Sequence, residues 1–479
     1  MKRTFEAHRA VPLLLLLTSF AAGPLSGQTF TRLHTFSWTK DVDGGNPQGV
    51  LSLSSNSLYG QTAQGGNWPQ GTVFKLNTDG TGFMSFANSP EQAYVLTSGK
   101  ILYGTGSLIQ AGAPEVVFSS DTNCTSLTVL HRFADNNISG TNYYPEGDNP
   151  TGGLLLLGNS LYGVTMGGGK FGDGTVFKVN TDGTGFTNLH HFAWHDDGAS
   201  PQCGLTVSGN KLFGTTMQGG PSSASGTVFA FNIDGTGFTN LHVFSGGSDG
   251  GEPSGWPGGA LVVAGNTLFG TTWVGGDSGH GTVFRVNTDG TGFKVLHSFS
   301  DYFGVYPEST NSDGAYPNGG LVLSGSTLYG TASNGGATGY GTVFALDTNG
   351  DNFLTLYNFS RLSGSKQTNY DGACPHIGVI LANNTFYGTT FQGGDFGYGT
   401  VFSISFDPKL TIVPSAADFT LTWPASYAGF DYTGYTLQCT TNLDSPVWTA
   451  VSSRPSVVSG EYTVTSPITA SQQFFRLSQ

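Results

Sequence analysis

One motif recurs along almost the whole chain. The triplet Leu-[Tyr/Phe]-Gly, with Phe in place of Leu in the last copy, places aromatics at Tyr59, Tyr103, Tyr162, Phe213, Phe269, Tyr329 and Tyr387, a mean spacing of roughly 55 residues. A period of that size belongs to architectures whose units are too small to bury their own apolar faces and depend on their neighbours. The copy from Gly152 to Ala193, "GGLLLLGNSLYGVTMGGGKFGDGTVFKVNTDGTGFTNLHHFA", reads as four strands separated by turn signals. Leu154 to Leu157 has no polar face and is expected to be buried on both sides. "SLYGVT", "GTVFKVN" and "FTNLHHF" supply the other three strands.

The acidic heptapeptide "NTDGTGF" stands at Asn77–Phe83, Asn180–Phe186 and Asn287–Phe293, with "NIDGTGF" at Asn232–Phe238. Asp-Gly supplies the positive φ of a tight hairpin, so the heptapeptide is expected to be the turn into the fourth strand. A calcium loop would need a succession of acids and a distal Glu, which it lacks.

Composition agrees with short strands and glycine turns. Gly is 74 of 479 residues and charged residues are only 10%, which excludes a helical bundle with its wet Glu, Lys and Arg faces. With 18 basic residues and a net charge of −13, the chain has no electrostatic footprint for nucleic acid.

The two ends complement each other. The unit from Gly378 to Phe406 reaches Asp407-Pro408 without a fourth strand, and "TFTRLHTFS" (Thr29 to Ser37) is a fourth strand with no unit of its own. An open solenoid gives no reason for that match. The expected fold is therefore all-β: a seven-bladed β-propeller over residues 28–408, closed by the N-terminal strand. The second unit keeps its strand pattern but loses the Gly-Gly loop and the heptapeptide, so a local irregularity is expected there.

These units resemble the Gloeo/Verruco (GloVer) tandem-repeat family, whose repeats read much like "LYGTTxxGGxxGxGTVFxLNTDGTGFTxLHxF"; the match runs from Leu33 to Phe406. The resemblance implies an exported bacterial protein of propeller fold, often with a C-terminal anchoring or sorting region, and no established enzymatic activity. The blade pattern is also similar to kelch repeats.

Lys2, Arg3 and Arg9 precede the apolar run Val11 to Gly23, which reads as a signal peptide over residues 1–27. The run is shorter than the roughly 18 to 20 residues of a membrane span, so no transmembrane segment is expected in the mature chain. An extracellular, cell-surface or periplasmic location follows. Residues 409–479 read as a small fibronectin-like β-sandwich with Trp423 and Tyr435 in its core, serving attachment, sorting or simply spacing. The four cysteines have no metal spacing; a Cys203–Cys374 bridge and four buried thiols both remain open.

Tight, near-identical turns occupy one face of such a disc, and long dissimilar loops the other, where binding usually resides. The links between units carry "DGxxP", with Asp43, Asp197, Asp313 and Asp371 either as turn punctuation or as a cation-binding ring. The same links carry Trp38, Tyr143, Tyr144, Trp194, Trp256, Tyr302 and Tyr370, and the Gly-Gly loops add Trp68, Trp273, Phe396 and Tyr398. Aromatic faces beside polar acceptors suit sugar rings, and otherwise pack the loops on the blades. The histidines of "LHxF" (His34, His131, His190, His242, His297) lie in separate units and are expected to be structural.

No nucleophile elbow, metal constellation or cofactor motif stands out, and no pair among Glu146, Asp148, Asp196, Glu252, Asp301 and Glu308 is singled out for catalysis. The sequence supports a non-enzymatic binder of glycan or another cell-surface component. A polysaccharide hydrolase or lyase and a purely structural surface protein are the alternatives.

Overall fold

A computed structural model describes residues 27–39, 43–65, 71–86, 91–107, 114–133, 144–221, 224–253, 259–304, 309–415, 418–443, 446–467 and 473–479. Nearly all of the expected signal peptide, residues 1–27, lies outside them. They form two compact units, one of Thr29–Phe406 with Ala425–Tyr435, the other of Asp407–Pro424 with Thr436–Ser478.

The larger unit is a succession of antiparallel sheets. In one, Leu155–Leu157, Ser160–Thr165, Thr175–Asn180 and Thr187–His191 pair in chain order. The second unit of the sequence keeps that order as Glu91–Ser98, Ile101–Ser107, Glu115–Asp121 and Leu127–Arg132. Ile380–Ala382, Thr385–Thr390 and Thr400–Asp407 take their fourth strand from Gly27–Thr35.

The register explains the repeated letters. Gly163 of the Leu-Tyr-Gly triplet lies opposite Phe177 of "GTVF", and Gly60/Phe74, Gly104/Phe118, Gly214/Phe229, Gly270/Phe284, Gly330/Phe344 and Gly388/Phe402 repeat the pair. A Cβ at Gly163 would stand 2.5 Å from Cζ of Phe177 and 2.9 Å from Leu154. The glycine is thus a seat for the ring, and Phe177 is fully buried. The triplet and "GTVF" are two halves of one packing device, kept even in the degenerate second unit.

The first strands differ from expectation. Leu155–Leu157 is half-buried along its length, because only Leu154, just before it, packs fully into the core. First strands of several sheets converge on an apolar cavity of about 190 Å³ lined by Leu51, Tyr94, Leu154, Leu205 and Ala260.

The heptapeptide is a turn. In "NTDG", the Thr81 amide and hydroxyl both donate to the Asp79 carboxylate, at 2.9 and 2.7 Å, and Gly80 takes φ 84°. The Thr81 hydroxyl first, then its amide, hold that carboxyl below the usual range. Asp182, Asp234 and Asp289 repeat the same bonds.

In the smaller unit, Thr411–Pro414, Asp418–Pro424, Glu461–Pro467 and Ser456–Val458 form one sheet, and Thr449–Ala450, Thr436–Thr440 and Phe474–Ser478 another. Trp423 is buried there with Phe419, Leu421, Leu437 and Val464. Tyr435 is not in that core. It belongs to the segment Ala425–Tyr435, whose Phe430 and Tyr432 pack with Tyr329, Phe386 and Phe406 of the larger unit. No disulfide joins Cys203 to Cys374: the four cysteines are thiols, Cys203 buried and the others half-buried.

Candidate functional site

The seams between successive sheets are built from repeat letters that lie far apart in sequence. Each "LHxF" histidine stacks on the heptapeptide Phe of the next unit: His131 on Phe186 at 3.5 Å, His190 on Phe238 at 3.9 Å, His242 on Phe293 at 3.5 Å. His34 does the same on Phe83 at 3.7 Å, and Tyr357 stacks on Phe30 at 4.8 Å. The imidazole then meets a link carboxylate. Nε2 of His190 lies 2.6 Å from Asp197, that of His297 3.0 Å from Asp313 and that of His34 3.4 Å from Asp43. Where tyrosine replaces histidine, the Tyr357 hydroxyl donates to Asp371 at 2.8 Å.

The four link aspartates are therefore occupied by their own seams. Ser37 donates its amide and hydroxyl to Asp43, the Ala193 amide donates to Asp197, and Ser300 and Ser360 cap Asp313 and Asp371 through amide and hydroxyl. Burial alone would raise the Asp313 carboxyl, but the bonds from His297 and Ser300 together hold it below its ordinary value. Among the described residues, no group of three or more His, Cys, Asp or Glu is placed to hold a metal. Two further seams use Asp249 with His242 and Glu146 with His131. "DGGEP" (Asp249 to Pro253) and "EGDNP" (Glu146 to Pro150) carried that signal in the sequence.

The proline of each link packs on the glycine of the preceding "GTVF". Pro201 Cδ would lie 2.7 Å from a Cβ at Gly174, and Pro375 Cδ 2.6 Å from one at Gly341. Pro47 meets Gly399 in the same way at 2.7 Å. In the second unit Glu115 takes the place of that glycine. Its carboxylate accepts the Asn149 amide, whereas Asn46, Ser200, Tyr316 and Cys374 at the same link position donate to backbone carbonyls. Burial first, then the Asp148 charge, push Glu115 from 4.5 up to about 7 against the Asn149 hydrogen bond. Its folded value lies above the unfolded one, so its contribution is complete below the unfolded value and is lost as pH rises through about 7. Glu115→Gln is expected to flatten the fall in melting temperature between about pH 4.5 and 7; an unchanged pH profile would contradict the assignment.

The link and Gly-Gly loops carry the exposed aromatics. Trp38, Phe171, Trp194, Phe303, Tyr370 and Phe396 all stand at this face with substantial exposure. They gather at separate seams. Trp194 donates its amide to Asp173. Trp273 is tilted against Tyr316 at 5.9 Å, and the Tyr316 hydroxyl lies 3.2 Å from that of Tyr302. Tyr370 lies under the Arg32 guanidinium at 4.7 Å, and Arg32 pairs with Asp395 at 2.6 Å. Tyr144 contributes its carbonyl, which accepts the Gly147 and Gly169 amides. Trp68, Tyr143 and Trp256 fall outside the described residues.

One seam forms a recess. Trp38 meets Tyr398 edge to face at 4.8 Å, and the two line a cleft of about 580 Å³ with Phe396, Asn46, Gln392, Lys366, Gln367 and the serines 37 and 365. Asn46 fixes the floor: its amide donates to the Tyr398 carbonyl at 2.7 Å and its side chain to the Phe391 carbonyl at 2.8 Å. Trp38 is 43% exposed and Phe396 47%, so two aromatic faces remain open beside amide groups. Asp43 holds the link below Trp38 through Ser37. Sequence reasoning named Trp38, Phe396 and Tyr398 but missed Gln392 of the same Gly-Gly loop and Lys366 and Gln367 of the hairpin that bridges Ser363 to Thr368.

Comparison with known proteins bears on the scaffold. An oligogalacturonate lyase in complex with manganese is similar over 80% of this chain and 94% of its own, with 11% identity and a TM-score of 0.50. An oligogalacturonate lyase from Vibrio parahaemolyticus is similar over 78% and 93%, with 10% identity and a TM-score of 0.49. TolB from Acinetobacter baumannii is similar over 59% of this chain and 58% of its own, at 12% identity and a TM-score of 0.37. At such identities the first likeness bears on the fold alone, which is all-β and β-propeller-like. No curated protein sequence matches the chain. No helix among the described residues is long and apolar enough to cross a membrane. The sequence model of the Gloeobacter/Verrucomicrobia repeat matches residues 138–312 and again 257–437, more than half of the chain, and the chain belongs to that bacterial repeat family.

Proposed function

We propose that this chain is an exported protein that binds saccharide through the loop face of a seven-bladed β-propeller closed by its N-terminal strand. The fibronectin-like residues 409–479 serve attachment or sorting. The Trp38–Phe396–Tyr398 cleft carries the reading: open aromatic faces stack on the apolar side of a sugar ring while amides and hydroxyls take its hydroxyls. Ring closure is supported by Gly399/Pro47 and Tyr357/Phe30, which repeat at the chain's ends the contacts made at internal seams. A hydrolase or lyase reading needs two free carboxylates about 5 to 10 Å apart in an aromatic pocket. The link aspartates speak against it at their positions, because their oxygens are engaged within the seams.

A glycan array probed with residues 28–479 tests the proposal. Retention of at least one glycan class is expected, weakened roughly thirtyfold by Trp38→Ala, as for a central aromatic anchor worth about 2 kcal/mol. Turnover of a polysaccharide without retention of any glycan would replace it with the enzymatic reading.

A further inference from the structure

We infer that the cleft selects an acidic saccharide, one bearing carboxylate or sulfate, and that Lys366 reads its charge. The inference rests on the saccharide reading above and adds the ligand's class. Among the residues lining the cleft, Lys366 alone is charged; the polar remainder are amides and hydroxyls. A cation at the rim stands out in a chain with 18 basic residues and a net charge of −13.

Its placement follows from the fold. The hairpin that bridges Ser363 to Thr368 carries Lys366 at its tip, with Gln367 at φ 54° closing the turn. Gly397, at φ 90° beside Phe396, packs against the Lys366 carbonyl so closely that no side chain fits between them. The hairpin tip is therefore seated on the aromatic loop that forms the cleft wall. The nearby Asp395 is already paired with Arg32 at 2.6 Å, and among the described residues no carboxylate makes an ion pair with Lys366. A lysine that lines the cleft together with aromatics able to stack on a pyranose matches a sugar that carries an anion at its edge.

The experiment is a titration of residues 28–479 with oligosaccharides of equal length in three arms: neutral, uronate-bearing and sulfated. Tighter binding of one or both acidic arms is expected, with affinity falling as salt rises. Lys366→Ala should weaken the acidic arms about fivefold and leave the neutral arm unchanged, while Lys366→Arg retains most of the preference. The stronger acidic arm identifies carboxylate or sulfate as the group read. Equal binding of all three arms, or an acidic preference that survives Lys366→Ala, would overturn the inference and leave the saccharide reading standing. Binding in no arm would overturn both.

Discussion

Removal of residues 28–36 from a chain of residues 28–479 is expected to lower its unfolding midpoint by at least about 10 °C, and a separate peptide of residues 28–39 should restore it. The size follows from what that strand carries. Phe36 is fully buried against Phe74, Leu58 and Val401, and truncating such a phenylalanine alone costs about 3–5 kcal/mol. The Phe36 amide donates to Gly399 at 3.0 Å, as Phe192 donates to Gly174 and Phe359 to Gly341 at internal units. Two seams also lose a partner: His34 from Phe83 and Phe30 from Tyr357. Differential scanning calorimetry with the native peptide and a scrambled one checks this. An unaltered midpoint in the shortened chain would mean that the N-terminal strand is an appendage.

The second large effect lies inside a single sheet. Phe177→Ala should cost about 3–5 kcal/mol, since the ring is fully buried between Leu161, Leu154 and Phe133. Gly163→Ala attacks the same contact from the other side, placing a methyl 2.5 Å from that ring, and overpacking of this kind costs about 1–3 kcal/mol. If glycine is there to seat the ring, the two positions are coupled. Gly163→Ala should cost clearly less in a Phe177→Leu background, measured by denaturant unfolding. Strict additivity would show that the glycine answers a backbone demand instead.

Much of the scaffold is legible because its letters repeat at fixed offsets. Leu-Tyr-Gly and "GTVF" announce strands, and the register that places Gly163 against Phe177 is fixed by alternation across one hairpin. The seams are less legible. The Asp of each link and the His of each outer strand are both visible in sequence. That His190 spends itself on Asp197 and Phe238 depends on the neighbouring unit. Tyr357, which stands where five other copies carry histidine, keeps the bond to Asp371 through a hydroxyl. The cleft is legible only in part. Trp38, Phe396 and Tyr398 stand out as aromatics in variable loops, and Gln392 sits in the same Gly-Gly loop, but Lys366 and Gln367 join them from a hairpin with no counterpart in the repeat. Non-periodic loops leave no offset from which their meeting could be read.

The central claim, that the seam between the first link and the last repeat is a saccharide site, is tested most directly at Trp38. Titration of residues 28–479 with a glycan retained on the array, followed by indole fluorescence and compared with Trp38→Phe and Tyr398→Ala, isolates that ring. The account predicts a saturable change that disappears in Trp38→Phe, with affinity reduced at least about tenfold in Tyr398→Ala. Unchanged affinity in both variants would place the binding elsewhere on the protein and contradict the account.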